Sequence, residues 1–548
     1  MDLLGEENSF SSRKSCLKKL ETSVFDILVI GGGATGAGIA LDASCRGLNV
    51  ALVEAEDFSS GASSRSTKLI HGGLRYLEKA CKNFDYSQYC LVSSSLEERS
   101  ILFKIAPHIV HLSPILIPVY SYLELSYYFM GLKFYDWISG KKCLKRSVFL
   151  KKKKVLKKVP SLKKEGLKGA ILYYDGQFDD SRMNVSLIVT SSMEGACTLN
   201  YAKVTRLLKD EQGRLIGAKV KDCLTENSLN VMARVIINAT GPMADCIRKM
   251  DNGDVSSIIE GSSGTHVILD KEITKSGYGI LIPKTEDDRL LFLLPWQNGT
   301  LLGTTDNPCE ILSGIKPTRE EVEYLLKYFG KHFEFTEDKI FSAWSGIRPL
   351  LKNSHVTETS CLSRDHFIEC SSSGLLSITG GKWTIYRKMA EEVVNRAIEM
   401  GNLDTLSPCI TKEKKLIGAC DDSQSLAKEL NEEFSLEEDI AKYWSQTYGT
   451  RSYEIVKIFF SGYGDRIVPA YPYTTAELIY ALRYEYVCTA HDFLARRIRL
   501  AFLNQELVLK ALSIVVAIMA DFFSWSDQRA QSEVERGERI LREYKPNP

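Results

Sequence analysis

Paired cysteines are missing from this 548-residue chain: its 14 cysteines never fall closer than nine residues apart. No C-x-x-C metal or redox pair exists, and the density is too low for a disulfide scaffold. They read as reduced, mostly buried thiols in a reducing compartment. An excess of charge is also missing. Lys and Arg number 70 against 69 Asp and Glu, a net charge of +1, so no global field draws the molecule onto nucleic acid and any basic surface must be local. Fifteen prolines and 38 glycines beside 44% hydrophobic residues exclude a collagenous, low-complexity or disordered chain. Long apolar runs are scarce: 109–132 is broken by His111, Pro114, Pro118 and Glu124, and 512–520 falls short of the roughly 20 residues a bilayer requires. No transmembrane helix is expected. Residues 1–23, with Asp2, Glu6, Glu7, Glu21 and no apolar block, do not read as a signal peptide and are expected to form a flexible leader. At roughly 100–200 residues per domain, the length predicts two to four domains.

What is present begins at 24–30, VFDILVI, an apolar run that ends in Gly31-Gly32-Gly33-Ala34-Thr35-Gly36 and passes into a predicted helix. Gly31 permits the tight turn, Gly33 lets a pyrophosphate approach the backbone, and Gly36 lets helix and strand pack closely. The helix N-terminus adds free N–H groups and a positive dipole end. Alone, this pattern is no more than a glycine turn. A second strand, GLNVALVE at 47–54, ends in Glu54, 23 residues after Gly31, where an acid accepts hydrogen bonds from an adenosine ribose and disfavours a 2′-phosphate. The pair reads as a dinucleotide site for FAD or NAD, not NADP.

SSGASSRSTK at 59–68 follows directly. Its hydroxyls with Arg65 and Lys68 suit an extended cofactor held by phosphates and ring edge, with a flexible surface loop as the alternative. It continues into LIHGGLRYL at 69–77, where Gly72 and Gly73 let the backbone pass close to a flat ring. VIINATGP at 235–242 and LLSITGGK at 375–382 are further buried strands ending in small-residue turns at Gly241 and at Gly380-Gly381, the last followed by a helix over about 384–400. Ligands of open α/β sheets sit beyond the carboxyl ends of the strands, so these turns are expected to converge on one long cofactor.

The assembled motifs are IGGGATGAGIALDA at 30–43, SSRSTKLIHGGLRYLE at 63–78, YYDGQFDDSRMN at 173–184, INATGP at 237–242, SGIRPL at 345–350, SRDH at 363–366, TGGKWTIYRKMAE at 379–391 and TAHDFLARRIRLAFLN at 489–504. Over about residues 24–530 the chain resembles the FAD-dependent glycerol-3-phosphate dehydrogenases of the glutathione-reductase-like flavoprotein group. YYDGQ and LARRIRLAFLN look closer to the mitochondrial type than to the short bacterial one. The tail after Trp525 holds no D-x-D-x-D-G loop, so calcium control is not implied and no metal site is expected. Ile385 stands where many members have Thr.

The resemblance implies an α/β fold: a glutathione-reductase-like FAD-binding Rossmann domain, an antiparallel-sheet substrate domain and a C-terminal α-helical cap domain. It implies oxidation of sn-glycerol 3-phosphate to dihydroxyacetone phosphate, with hydride passing to flavin N5, a base taking the hydroxyl proton, and electrons leaving to ubiquinone or another membrane quinone. FAD contacts are expected from Gly31, Gly33, Gly36, Glu54, Ser64, Thr67, Lys68, His71, Gly72, Gly241, Gly380, Gly381 and Lys382. Arginine suits a phosphate dianion through its planar fork; Arg348 in GIRPL and Arg364 in SRDH lead, Arg75 is third, and Tyr76 adjoins it. His266 is the chosen proton acceptor, since a near-neutral pKa suits general-base work; a core histidine bonded to backbone is the alternative. His71, between Ile70 and Gly72, more plausibly fixes ring or backbone. Lys382 can place positive charge near flavin N1/O2 or touch the substrate phosphate. Asp179 and Asp180 read as structural anchors of Arg182.

The FAD-binding domain is expected in pieces at 24–100, 170–250 and 360–400, the substrate domain at 101–169 and 251–359, and the helical domain at 405–548. One stretch departs from charge balance: aromatics at 120–137 precede twelve Lys and Arg over 141–164 with no acid. That suits a membrane contact that does not span the bilayer, through residues 120–164; a core segment beside a solvated lysine loop is the bland alternative. A homodimer is allowed, and the expected place is a mitochondrial or mitochondrion-derived inner membrane, with a bacterial plasma membrane as alternative. Competing functions are an amino- or hydroxy-acid or glycerol-3-phosphate oxidase passing electrons to oxygen, and an RNA-modifying flavoprotein using the lysines at 151–158, which the near-zero net charge weakens.

Overall fold

A computed structural model describes residues 9–74, 76–78, 85–287, 289–311, 314–333, 340–352 and 366–545. The first sheet has β1 (Val24–Ile30) at its centre, paired in parallel with β2 (Val50–Val53) on one side and β10 (Ser228–Asn238) on the other. β7 (Cys197–Leu199) extends it beyond β2, and β18 (Leu375–Gly380) with antiparallel β17 (His366–Cys370) beyond β10. β8 (Ala202–Lys209) and β9 (Leu215–Asp222) form an antiparallel flap on β10. Parallel strands are covered on both faces, which explains why β1 and β2 are almost wholly apolar. The helices α2 (Ala34–Cys45), α6 (Asp180–Met193) and α9 (Tyr386–Gly401) pack in the core containing Ile27, Val29, Leu52, Met183 and Met389.

The second sheet is mostly antiparallel. Its order runs β15 (Asn307–Cys309), β11 (Ile259–Asp270), β14 (Gly299–Gly303), β13 (Leu291–Trp296), β12 (Gly279–Ile282), β4 (His111–Val119), β6 (Gly169–Gln177) and β3 (Leu69–Ile70). β16 (Ile340–Leu351) pairs along nearly all of β11, and β5 (Val148–Lys151) along β6. β3 and β6 therefore depart from the predicted division: both lie within stretches assigned to the FAD-binding domain, yet they hydrogen-bond into the second sheet. The chain passes between the sheets several times.

Three helices border this sheet: α4 (Tyr122–Ser139), α5 (Lys152–Lys158) and α8 (Arg319–His332). α3 (Tyr86–Ile105) runs between the sheets' helical layers and contributes Leu102 and Ile105 to the core of the first. α7 (Ala244–Asp251) follows β10. The C-terminal part is helical, with α10–α16 at Ser423–Phe434, Glu438–Thr447, Ser452–Phe460, Thr475–Tyr484, Leu500–Leu503, Gln505–Phe523 and Asp527–Leu541, and a π-helical turn at Asp492–Arg497. Among the described residues no helix is long and apolar enough to cross a membrane.

Two expectations are corrected. The leader is not loose from residue 9 onward: Ser9–Thr22 forms a helix, α1, whose Leu20 is buried and whose Arg13 reaches Asp222 at 2.6 Å and the carbonyl of Asn200 at 2.7 Å. The sequence signal was hidden because α1 has only a narrow apolar strip. Nor are the thiols mostly buried. Cys197 is, with Cys16 of α1 against it at 2.6 Å between sulfurs, but Cys90, Cys246 and Cys370 are exposed, on the outer sides of α3, α7 and β17.

Candidate active site

β1, β2, β10 and β18 run in parallel, so Ile30, Val53, Asn238 and Gly380 end at one edge of the first sheet. The three glycine turns gather there: Thr379 Oγ1 donates to the carbonyl of Gly241 at 3.1 Å, and Trp383 Nε1 to that of Ser63 at 3.0 Å. Gly31 has φ +109°, and a Cβ on it would stand 2.7 Å from the Ala239 carbonyl oxygen. A Cβ on Gly36 would overlap the carbonyl of Gly31. Gly33 caps α2 with no side-chain cap, and the Ala34 N–H of the first turn donates to Ser63 Oγ at 2.9 Å; such a glycine-lined helix N-terminus is the kind of end that suits a phosphate. Glu54 accepts the N–H of Gly32 at 2.6 Å and of Glu56 at 2.9 Å, and burial raises its carboxyl to about 7. This donor set suits a dinucleotide flavin cofactor.

The 59–68 loop is held by a residue the sequence reading undervalued. Asp180, at the start of α6, accepts from Ser66 N–H at 2.9 Å, Ser66 Oγ at 2.7 Å and Lys68 Nζ at 2.8 Å, with Arg499 Nη2 at 3.3 Å. Lys68 is completely buried and lies 5.0 Å from the Trp296 ring centroid. It was expected on the cofactor; a side chain with no exposed surface instead pins its own loop, and Ser64 is equally enclosed. The reading of Asp179 and Asp180 as anchors of the Arg182 side chain is corrected too: Arg182 pairs with Glu485, while Asp179 caps α6 through the backbone N–H of Arg182 at 2.9 Å. Asn184 Nδ2 donates to the Gly32 carbonyl at 2.9 Å, tying α6 to the first turn.

In the second sheet His266 stands opposite Trp344, Gly264 opposite Gly346 and Ser262 opposite Arg348. Directly opposed residues share a face and alternate residues return to it, so His266 and Arg348 lie on the same side of the sheet. Glycines let long side chains lie close on that face: a Cβ on Gly264 would overlap the Arg348 guanidinium, one on Gly303 would strike the His266 ring, and one on Gly346 would come within 2.8 Å of Arg65. Arg65 Nη1 donates to the Ser345 carbonyl at 2.9 Å, and Thr67 Oγ1 lies 3.0 Å from His266 Nε2. The 59–68 loop thus meets the His266–Arg348 face of the second sheet.

A model of the FAD dependent oxidoreductases matches residues 26–387, and one of the C-terminal domain of alpha-glycerophosphate oxidase matches 409–530. The chain is 44% identical over 543 residues to the probable mitochondrial glycerol-3-phosphate dehydrogenase of Caenorhabditis elegans, covering 96% of this chain and 75% of that protein. With the human mitochondrial glycerol-3-phosphate dehydrogenase it shares 43% over 546 residues, again 75% of the relative. This chain belongs to the mitochondrial-type FAD-dependent glycerol-3-phosphate dehydrogenases. A solved glycerol-3-phosphate dehydrogenase from Bacillus halodurans, complexed with FAD, superposes with a TM-score of 0.79 at 29% identity, covering 98% of both chains.

In this dehydrogenase the electrostatics of the face are set by burial. His266 is buried, and desolvation, with Lys68 and Arg348 nearby, lowers its pKa well below the usual histidine value. The imidazole is neutral and stacks 5.5 Å from Trp344 at an interplanar angle of 13°. Arg348 Nη2 donates to Thr304 Oγ1 at 2.9 Å and the Thr305 carbonyl at 3.0 Å, with Asp306 at 3.5 Å from Nη1. Lys382 Nζ lies 3.9 Å from the centroid of the Tyr76 ring, bringing the GGK turn against the HGG segment. Arg75 and Arg364 lie outside the described residues. His71 is partly buried beside Gly72, whose N–H donates to Tyr135 Oη at 2.9 Å. Thr304, Asp306, Trp344, Tyr135 and Asp180 were not foreseen in these positions; of these Asp180 sat in a motif, and Tyr135 in the aromatic stretch, that drew attention for other reasons.

Proposed function

We propose that the chain oxidises sn-glycerol 3-phosphate to dihydroxyacetone phosphate at the face between His266 and Arg348, and that the electrons leave to a membrane quinone. The observation that carries this is the placement of a neutral imidazole and a guanidinium on one sheet face, against which the 59–68 loop packs through Arg65 and Thr67. Gly31, Gly33, Gly36, Glu54, Gly241, Gly380 and Gly381 would hold FAD, which supplies the hydride acceptor when bound. Arg348 binds the phosphate, with its fork pre-aimed by Thr304 and the Thr305 carbonyl. His266 takes the C2 hydroxyl proton at a ring nitrogen, being unprotonated beforehand. Lys382, whose ammonium lies against the Tyr76 ring, would supply positive charge to favour the negative charge that a bound flavin gains on reduction.

Docking on a lipid surface, without crossing it, fits α4. Tyr122, Leu123 (85% exposed), Tyr127, Met130, Phe134 and Trp137 (72% exposed) form one outward face, with Lys168 Nζ 5.8 Å from the Tyr122 ring. Lys151, Lys152, Lys153 and Lys154 are exposed on the following segment. Not all aromatics of the 120–137 stretch belong to this face: Tyr128 and Phe129 pack toward the core, while the non-aromatic Leu123 and Met130 join it. Apolar side chains beside unopposed basic charge suit an anionic bilayer, as in a mitochondrial inner membrane.

The test is an anaerobic visible spectrum of the purified protein with and without glycerol 3-phosphate. Bleaching of an oxidised flavin band by glycerol 3-phosphate, and not by amino or hydroxy acids, is expected; no bleaching overturns the reading.

A further inference from the structure

The YYDGQ motif contains one carboxylate that the reaction leaves unused. Asp175, on β6, is 2% exposed and meets Arg99 of α3 at 2.5 Å from Nη1 and Tyr135 of α4 at 3.1 Å from Oη. Arg99 Nη1 also lies 3.3 Å from the tyrosine oxygen, and Arg99 Nη2 donates to the Lys142 carbonyl at 3.3 Å. Burial and the neighbouring Asp175 push the Tyr135 phenol upward, so it keeps its proton. Its O–H goes to Asp175, and its lone pair accepts the N–H of Gly72.

That last bond leaves the cluster and enters the active-site loop. A Cβ on Gly72 would stand 2.7 Å from both Tyr135 Oη and Leu96 Cδ2, so the backbone is pressed onto this support. Gly73 follows at φ +92°, and Tyr76, which Lys382 touches, lies three residues on. Leu77, Val92 and Leu96 enclose the tyrosine ring. A buried ion pair is poor value for stability compared with apolar packing of equal volume, whereas a bond from it to a loop backbone fixes a position.

We infer that Tyr135, Asp175 and Arg99 are positioning residues for the Gly72–Gly73 turn, holding the loop that presents Tyr76 to Lys382 during glycerol 3-phosphate oxidation. The three act through the turn and touch no reacting atom. The inference rests on the reading of Lys382 and the HGG segment as part of the flavin site.

The experiment compares Tyr135→Phe, Asp175→Asn and the double variant as FAD-loaded enzymes, by visible spectrum, FAD content, and anaerobic flavin reduction over a range of glycerol 3-phosphate concentrations. FAD content should hold. Reduction at saturating substrate should slow roughly ten- to a hundred-fold, as misplacement of a catalytic element does, with a smaller change in half-saturating concentration and a shifted flavin band. The double variant should be no slower than the worse single one, because both break one linkage. Parental rates and spectra in both single variants overturn the inference, as does slowing that only tracks lost FAD. If Tyr135→Phe does not fold, Asp175→Asn and Arg99→Lys are read by the same criteria. Lys382→Ala separates the two levels: a normal rate there removes the flavin-site reading, while a slow Lys382→Ala beside a normal Tyr135→Phe removes only the positioning role.

Discussion

His266 and Trp344 face each other across β11 and β16 with their rings nearly parallel. The indole shields one face of the imidazole from water, and Thr67 fixes Nε2 from the cofactor side. His266→Ala should retain FAD while slowing anaerobic flavin reduction by about 10²–10⁴-fold, the range for a lost general base. A near-normal rate assigns the proton to another group.

The same burial makes a pH prediction. A histidine whose pKa is lowered gains its proton only in more acid solution, so His266 stays an acceptor throughout the range where a free histidine titrates. Flavin reduction at saturating glycerol 3-phosphate should be flat from about pH 8 down to pH 6.5. A loss of rate centred near the ordinary histidine pKa contradicts the neutral buried imidazole.

Arg348 bonds Thr304 and Thr305 through Nη2 and the Ser263 carbonyl through Nη1 at 3.2 Å, with the side chain still partly exposed. Arg348→Lys should weaken glycerol 3-phosphate by about 1.5–3 kcal/mol, as for charge-assisted hydrogen bonds, and affect plain glycerol much less. Steady-state kcat/KM for both alcohols checks this; equal losses make Arg348 a structural residue.

Gly33→Leu places a side chain where Ser63 Oγ already stands 2.9 Å from the Cβ position. It also covers the α2 N-terminus, so the purified variant should be colourless. A yellow variant with normal flavin content removes the pyrophosphate from that turn.

Replacing Lys151, Lys152, Lys153 and Lys154 by Gln should reduce binding to anionic vesicles steeply, since each basic residue near such a surface contributes about 1 kcal/mol. Oxidation with a soluble dye acceptor should be unchanged. Vesicle sedimentation at two salt concentrations reads the effect, and parental binding removes the docking model.

The elements most legible in the sequence were those dictated by local chemistry. The apolar runs of β1, β2, β10 and β18 and the turns at Gly31, Gly241 and Gly380 needed no tertiary knowledge, because buried parallel strands are continuous in apolar residues and tight turns demand glycine. Illegible were the bonds between distant residues. Nothing around Lys68 announces Asp180, 112 positions on, and nothing in the aromatic α4 says that Tyr135 turns inward to Gly72 while Trp137 turns out. Which of the α4 aromatics face outward was illegible for the same reason: apolar residues occur on both its buried and its exposed sides. α1 was missed because its anchor, Arg13 on Asp222, joins residues 209 apart.

The passage of the chain between two sheets has a consequence for its birth on the ribosome. β1 gains β2 as a neighbour almost at once, but its other edge stays bare until β10 is made, and the cradle for the cofactor is incomplete until β18 ends at Gly380. At about 5–20 residues per second, synthesis from β1 to Gly380 takes roughly 20–70 seconds. During that interval an apolar strand with open hydrogen-bonding groups is a template for wrong pairing. The bare edge of β1 is therefore covered only once the strand leading to the second glycine turn exists, and the strand-end edge is complete only when the third has been made.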